Sequence, residues 1–408
     1  MTQSAKARPG ALPLDGIKVV DFSRLLPGPW ASQMLAEFGA EVIKVEPPII
    51  GDPSRHTHPR FRETSVYFNI VNGSKRSLML DLTKQEGREV AGRLFRQADV
   101  VFESYRPGVA KKLGVDYPTA KRINARIIYC SISGFGQTGP LAKVAGHDLV
   151  IQGMTGVMGR SLDETNPPTV PGFQAGDFAG ALMAVIGVFA AVAQRARTNE
   201  GCEIDLSMFD ALLHMSPIAL SSALASLAGA SPEPAQEVFG KNPRYATYTT
   251  LDGKPVAVSL LEAKAWKEFC VSINRPDLVA EDETPADRMT AHGPRGDLYR
   301  EAITQYCGSR TLQQIEADLE RTGIAILPIY TPDEALAHPH VDARGIVEFI
   351  DHPVEGRIPH LVNPLARAGL CNARHDPAPG LGQHSAEILS ELGYSAVETE
   401  SLRGAGVI

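Results

Sequence analysis

The stretch that decides the fold is IKVVDFSRLLPGPWASQMLAEFGAEVIKVE, residues 17–46. Two apolar runs, IKVVDF (17–22) and EVIKVE (41–46), have the length and β-branched content of buried strands. WASQMLAEFGA between them has helical spacing. The pattern continues outward: SLMLDL (77–82), VVFESY (100–105) and IIYCSIS (127–133) read as strands, with QEGREVAGRLFRQ and YPTAKRINA as helices between them. Such alternation predicts an α/β fold, a parallel sheet covered by helices on both faces. The large domain is expected to be Rossmann-like.

At 408 residues the chain is long for one core, so two domains are expected. EIDLSMFDALLHM (203–215) adds a strand and a helix, and AGASPEPAQEVFGKNP (228–243) reads as a linker. YATYTTLDGKPVAVSL (245–260) carries an Asp-Gly turn between two strand-like runs, a hairpin signal. GIAILPIY (323–330) is a late strand. The expected division is a large domain over 1–224, a smaller α+β domain over 225–330 and a C-terminal segment over 331–408.

A net charge of −7 argues against nucleic acid or an anionic membrane as partner. Five cysteines, odd in number and without a C-x-x-C pair, exclude a disulfide framework or zinc knuckle and suit a reducing cytoplasm. No metal is expected. The N-terminal MTQSAKARPGALPLDG lacks an apolar signal core and reads as a short disordered lead. FAGALMAVIGVFAAVA (178–193) is shorter than the ~20 residues that cross a bilayer, so a buried helix is expected there.

Gly134-Phe-Gly136-Gln-Thr-Gly139 spells the dinucleotide fingerprint after a strand. That fingerprint needs its last glycine to open a helix and an acid about 20 residues on. Pro-Leu-Ala-Lys-Val-Ala-Gly follows instead. Nicotinamide and flavin are therefore not expected, and the glycines must serve some other close backbone approach. Asp177 precedes the apolar helix as an N-cap whose charge the helix end favours, which also suits a nucleophile or base. His147, in Gly-His-Asp, is a loop residue or a proton carrier near neutrality. Glu262 is a first-turn acid by position. Arg24, Lys75, Arg76, Arg106, Lys111 and Lys112 are basic, several at ends of strands where α/β folds bind ligands. They would suit a phosphorylated ligand.

Taken together, VVDFSRLLPGPWASQMLAEFGAEVIKVEPP, NGSKRSLMLDL, SYRPGVAKKLGVDY, SISGFGQTGP, DEALAHPHVDARGIV and LGQHSAEIL, in this order, resemble the class III CoA-transferase family. That family includes carnitine CoA-transferase, formyl-CoA transferase and α-methylacyl-CoA racemase. The resemblance implies a Rossmann-like domain completed by the C-terminal segment, and an interlocked homodimer. It implies acyl-CoA and a small carboxylic acid as substrates, with coenzyme A contacts near Arg24, Leu25, Leu26, Tyr105, Lys112 and Leu113. Asp177 matches the transferase nucleophile. The alternative is a racemase in which His147 and Asp177 exchange an α-proton; AGHD and the Glu262 of LLEAKAWKEFC resemble its motifs, although Ala263 and Ala265 depart from them. LVIQGMTGVMG and the Phe-Ala-Gly-Ala after Asp177 resemble transferases. Some transferases carry Gln where Leu26 stands, and a glycine run where this chain has EVFGKNPRY. Arg244 and His147 are carboxylate or acyl contacts by charge alone.

Overall fold

The computed structural model describes residues 12–161, 168–237, 240–374 and 376–408. The N-terminal lead up to residue 11 and positions 238 and 239 of the expected linker lie outside the described residues. The stretch at 17–46 folds as strand, helix and strand: β1 (Lys18–Asp21), α1 (Pro27–Glu37) and β2 (Glu41–Glu46). The strands pair in parallel, Lys18 opposite Glu41 and Asp21 opposite Lys44. Prolines in the first turn of α1 lack an N–H that the turn could not have used. The helix stops where Gly39 adopts φ 104 and the Ala40 N–H returns to the Leu35 carbonyl at 2.9 Å.

A short helix, α2 (Val66–Val71), leads to β3 (Lys75–Met79), α3 (Gln85–Gln97) and β4 (Val100–Glu103). Next come α4 (Val109–Leu113), α5 (Tyr117–Ile123), β5 (Ile128–Ser133), α6 (Asp148–Met154), α7 (Ala175–Thr198), β6 (Glu203–Ser207) and α8 (Met208–His214). The six strands make one parallel sheet in the order β3-β2-β1-β4-β5-β6, that of dinucleotide-binding folds. Its central strands are apolar on both faces, with Val100, Val101, Phe102, Ile128, Tyr129 and Cys130 all buried. α3 turns Val90, Ala91, Leu94 and Phe95 into a core shared with Ile388, Leu389 and Leu402 of the C-terminal helices Ser385–Glu391 and Ala396–Gly404.

The chain divides into two compact units. Unit 1 is Met1–Thr155, Val170–Met215 and Pro339–Ile408; unit 2 is Gly156–Thr169 and Ser216–His338. Unit 2 holds α9 (Pro217–Leu227), β7 (Tyr245–Thr249), β8 (Pro255–Ser259), α10 (Ala263–Ser272), α11 (Pro294–Gly308), α12 (Leu312–Thr322) and β9 (Ile326–Pro328). β7 and β8 form the antiparallel hairpin about the Asp-Gly turn, and β9 joins β8. Trp266, Phe269, Tyr299 and Tyr306 pack beneath this sheet with Val256 and Val258, the Trp266 and Tyr299 rings 4.6 Å apart.

Two expectations need correction. The strand read at 77–82 begins at Lys75, because Lys75 is drawn into the sheet by its ion pair with Asp21 of β1, two strands away, and Arg76 pairs with Glu41 of the adjacent β2. The apolar run at 178–193 is only the middle of α7, a helix of 24 residues that is long and apolar enough to cross a membrane by length and composition. The length argument against a span therefore fails. What places α7 is its packing: Ala179, Ala181, Ala184, Val185 and Val188 are buried, and α7 contacts α1, α8 and β5. Near its end, the Arg195 guanidinium lies 2.8 Å from the Asp99 carboxylate and donates to the Arg126 carbonyl at 3.1 Å. Its other flank is open, with Ile186 58 % exposed, so the helix is only partly buried.

Candidate active site

In a sheet of this order the crevice opens at the carboxyl ends of the strands where the order reverses, between β1 and β4. A cleft of about 510 Å³ lies there in unit 1. Arg24, Leu25, Leu26 and Pro27 follow β1; Ser104, Tyr105 and Arg106 follow β4; Ile132, Ser133 and Gly134 come from the end of β5. His147 precedes α6, Tyr67 comes from α2, and Asp177 comes from the first turn of α7. The Arg24 guanidinium lies over the Tyr105 ring, 5.2 Å from its centroid, so one wall is both cationic and aromatic.

The glycine loop is turned inward by the protein itself. The Gln137 N–H donates to the Asp205 carboxylate at 3.0 Å, so this amide is engaged internally. A Cβ on Gly134 would stand 2.9 Å from the Gly146 Cα. The two glycines thus let strand end and loop meet, which brings His147 to the cleft.

Asp177 is not the N-cap. α7 starts two residues earlier, with Gln174 at the cap position, and the helix end is held from outside by Asp148. The Asp148 Oδ1 accepts the Gly176 N–H at 2.7 Å and the Asp177 N–H at 3.4 Å, and its Oδ2 accepts from the Gln152 amide at 2.6 Å. Gly176 permits this approach, since a Cβ there would meet Ile151 Cγ2 at 2.9 Å. The same arrangement sets the chemistry of Asp177. Burial pushes its carboxyl up, the Asp148 carboxylate pushes it further, and the result is about 7. Near neutrality Asp177 is thus balanced between acid and carboxylate, and it faces a cleft that can hold a reacting group. Burial raises Tyr67 as well, and the Asp177 and Asp52 charges add to that.

The cleft brings together Arg24, Leu25, Leu26, Tyr105, Arg106, His147 and Asp177. Other expected contacts stand elsewhere. Lys75 is a correction: it is 3 % exposed, with its ammonium 3.1 Å from Asp21 and donating to the Pro29 carbonyl and Asn72, so no ligand reaches it. Burial pushes the Asp21 carboxyl up, yet Lys75 and Lys44 outweigh this and hold it at about 2. Arg76 is engaged by Glu41, Glu387 and Glu391. Lys112 and Leu113 lie in α4 beyond Val109, the residue of that helix that lines the cleft. Glu262 belongs to unit 2, where it is the N-cap of α10, largely exposed and 3.9 Å from Arg288. Arg244, also in unit 2, is fully buried against Glu283 and the Leu260 and Leu261 carbonyls, which removes it as a substrate contact.

Tyr67, Ser104 and the clamping role of Asp148 escaped the sequence reading. Their signal is three-dimensional: Asp148 acts on a helix that begins 27 positions later in the chain. A larger cleft of about 660 Å³ lies in unit 2. Its walls carry Glu233, Glu237, Asp282, Glu283 and Asp287, which would repel a polyanionic ligand.

Known proteins resemble the chain along nearly its whole length. Residues 14–385 match the model of CoA-transferase family III. The chain is 32% identical over 403 residues to a succinate–glutarate CoA-transferase of Agrobacterium fabrum, covering 96% of this chain and 98% of that protein. It is 31% identical over 398 residues to an acetyl-CoA:oxalate CoA-transferase of Acetobacter aceti, covering 96% and 98%. The crystal structure of a CAIB/BAIF family protein from Brucella suis superposes with a TM-score of 0.75 at 33% identity, covering 94% of this chain and all of that one.

Proposed function

The chain belongs to CoA-transferase family III and moves coenzyme A between an acyl-CoA and a carboxylic acid by aspartate chemistry; we propose that Asp177 is that aspartate. The observation that carries the assignment is its place in the cleft at the strand ends, which Arg24 and Tyr105 line as well.

In its ionised form the Asp177 carboxylate attacks the thioester carbonyl, the C–S bond breaks, and the CoA thiolate leaves a mixed anhydride behind. The thiolate then attacks the aspartyl carbonyl and releases the donor acid, which gives an aspartyl thioester. The acceptor carboxylate attacks this thioester and expels the thiolate. The thiolate attacks the acceptor carbonyl of the second anhydride, forming the new acyl-CoA and regenerating Asp177. The thioester's energy is kept because each step exchanges one activated acyl bond for another. Backbone amides bordering the cleft at Gly134 and Gly146 are suited to the oxyanions. Arg24 and Arg106 meet the phosphorylated end of the substrate.

The acid is proposed to be a small dicarboxylate on one side of the exchange, as the names of the Agrobacterium and Acetobacter enzymes suggest. The working form is proposed to be a homodimer in a reducing cytoplasm. Its five cysteines are free thiols, and α9 buries none of its residues in the single chain, leaving Leu224 and Leu227 exposed for a second copy. His147 in the same cleft favours one second reading, α-proton exchange in a 2-methylacyl-CoA.

The test is exchange of labelled acids into a panel of acyl-CoAs. Transfer with at least one pair, lost in Asp177→Asn, is the expected result. No exchange with any pair, together with deuterium uptake from heavy water at the α-carbon, would overturn the reading in favour of the racemase.

A further inference from the structure

The loop at the mouth of the cleft, Ser23–Leu26, is not held by secondary structure. Leu25 sits at φ 64, a left-handed conformation that costs an L-residue free energy. Three successive backbone groups of the loop are taken by side chains. The Lys44 ammonium donates to the Ser23 carbonyl at 3.0 Å, the Arg24 N–H donates to the Ser104 hydroxyl at 2.9 Å, and the Leu25 N–H donates to the Asp52 Oδ1 at 3.2 Å. Lys44 and Asp52 are partners: Nζ lies 2.8 Å from Oδ2, and neither side chain is exposed.

A buried ion pair contributes little net stability, since desolvation of both charges offsets their attraction. This pair does something else. Its two ends grip consecutive peptides of the loop: Lys44 takes the carbonyl of the Ser23–Arg24 peptide, whose N–H Ser104 holds, and Asp52 takes the N–H of the Arg24–Leu25 peptide. Asp52 is itself fixed in orientation by the Ser54 N–H at 2.9 Å and the Ser54 hydroxyl at 2.7 Å. Its own N–H donates to Glu46 at 3.0 Å, and Glu46 is in turn gripped by Arg55. Asp52 is therefore held by partners outside the loop as well as by the loop itself.

We infer that Lys44 and Asp52 are positioning residues for acyl-CoA binding: their ion pair holds Ser23–Leu26 in its strained pose, which presents Arg24, Leu25 and Leu26 to the ligand. The inference rests on the reading that this cleft binds coenzyme A.

The test is calorimetric binding of free coenzyme A. Lys44→Met/Asp52→Leu removes both charges and keeps their volume. Without the clamp, Leu25 is expected to relax out of the left-handed region, and binding to weaken about tenfold, which corresponds to ~1.4 kcal/mol. In that double variant Arg24→Ala is expected to cost much less affinity than in the native background, because the loop no longer presents the guanidinium. A purely structural role would leave the Arg24→Ala loss the same in both backgrounds. Unchanged affinity in the double variant, or an Arg24→Ala loss equal in the two backgrounds, overturns the proposal while leaving the cleft reading intact. A wild-type protein that does not bind coenzyme A overturns both. Should the double variant not fold, Leu25→Gly and Leu25→Ala in the native background decide. Both lose the side chain, so a Gly variant more stable than the Ala variant by about fivefold in the folding equilibrium supports held strain. Equal stability overturns it.

Discussion

Asp177→Asn removes a charge and nearly keeps the shape, so it isolates what the fold does to that carboxyl. Burial first and Asp148 second raise the Asp177 carboxyl from 3.8 to about 7. A raised value means that the fold disfavours the charge. By linkage the cost is absent below about pH 4, grows from there to about pH 7, and is complete above that. The interval corresponds to ~4 kcal/mol, and water at a half-buried carboxyl screens it to about 1–3 kcal/mol. Asn never ionises. Asp177→Asn should therefore gain stability over wild type as pH rises, by about 1–3 kcal/mol between about pH 4 and pH 8. Guanidinium unfolding measures this, with tryptophan fluorescence as the probe. Trp30 lies 5.0 Å from Phe178, the residue next to Asp177, and a Trp266→Phe background makes Trp30 the sole reporter. A stability difference that stays flat across this pH range would show an ordinary carboxylate and refute the reasoning.

The same balance predicts that kcat/KM for acyl-CoA rises through about pH 7 as the nucleophile ionises; a profile already flat from about pH 5 would contradict it. Asp148→Asn keeps an oxygen for the Gly176 N–H but removes the charge that pushes Asp177 up, so the acid limb of that profile should move to lower pH. Gly176→Ala drives a Cβ to 2.9 Å from Ile151 and should cost about 1–3 kcal/mol in unfolding free energy. Arg24→Ala should weaken acyl-CoA binding by roughly tenfold and flatten its salt dependence, because a guanidinium over Tyr105 faces the cleft.

The sheet was readable because buried parallel strands are nearly continuous apolar runs. EVIKVE became β2 residue for residue, and the Asp-Gly turn correctly gave the hairpin of unit 2. What escaped the reading depends on partners far apart in the chain. Lys75 reads as a free cation until β3 lies two strands from β1, where Asp21 claims it. Asp177 reads as a cap because Asp148, which holds those amides, is 29 positions away. The apolar run ends at residue 193, yet Gln194–Thr198 continue the helix, with Arg195 paired to Asp99. Arg244 has no pattern that announces burial; Glu283 and two carbonyls decide it. For the site, the strand-end positions of Arg24 and Tyr105 were legible, whereas Tyr67 sits in a six-residue helix without a motif.

The most direct measurement is peptide mass spectrometry after brief incubation with acyl-CoA donors, including succinyl-CoA, followed by hydroxylamine or borohydride to trap activated carboxyl groups. The account predicts a modification on the peptide carrying Asp177 that is absent from Asp177→Ala. Trapping at another carboxylate, or turnover without any adduct at Asp177, would contradict it.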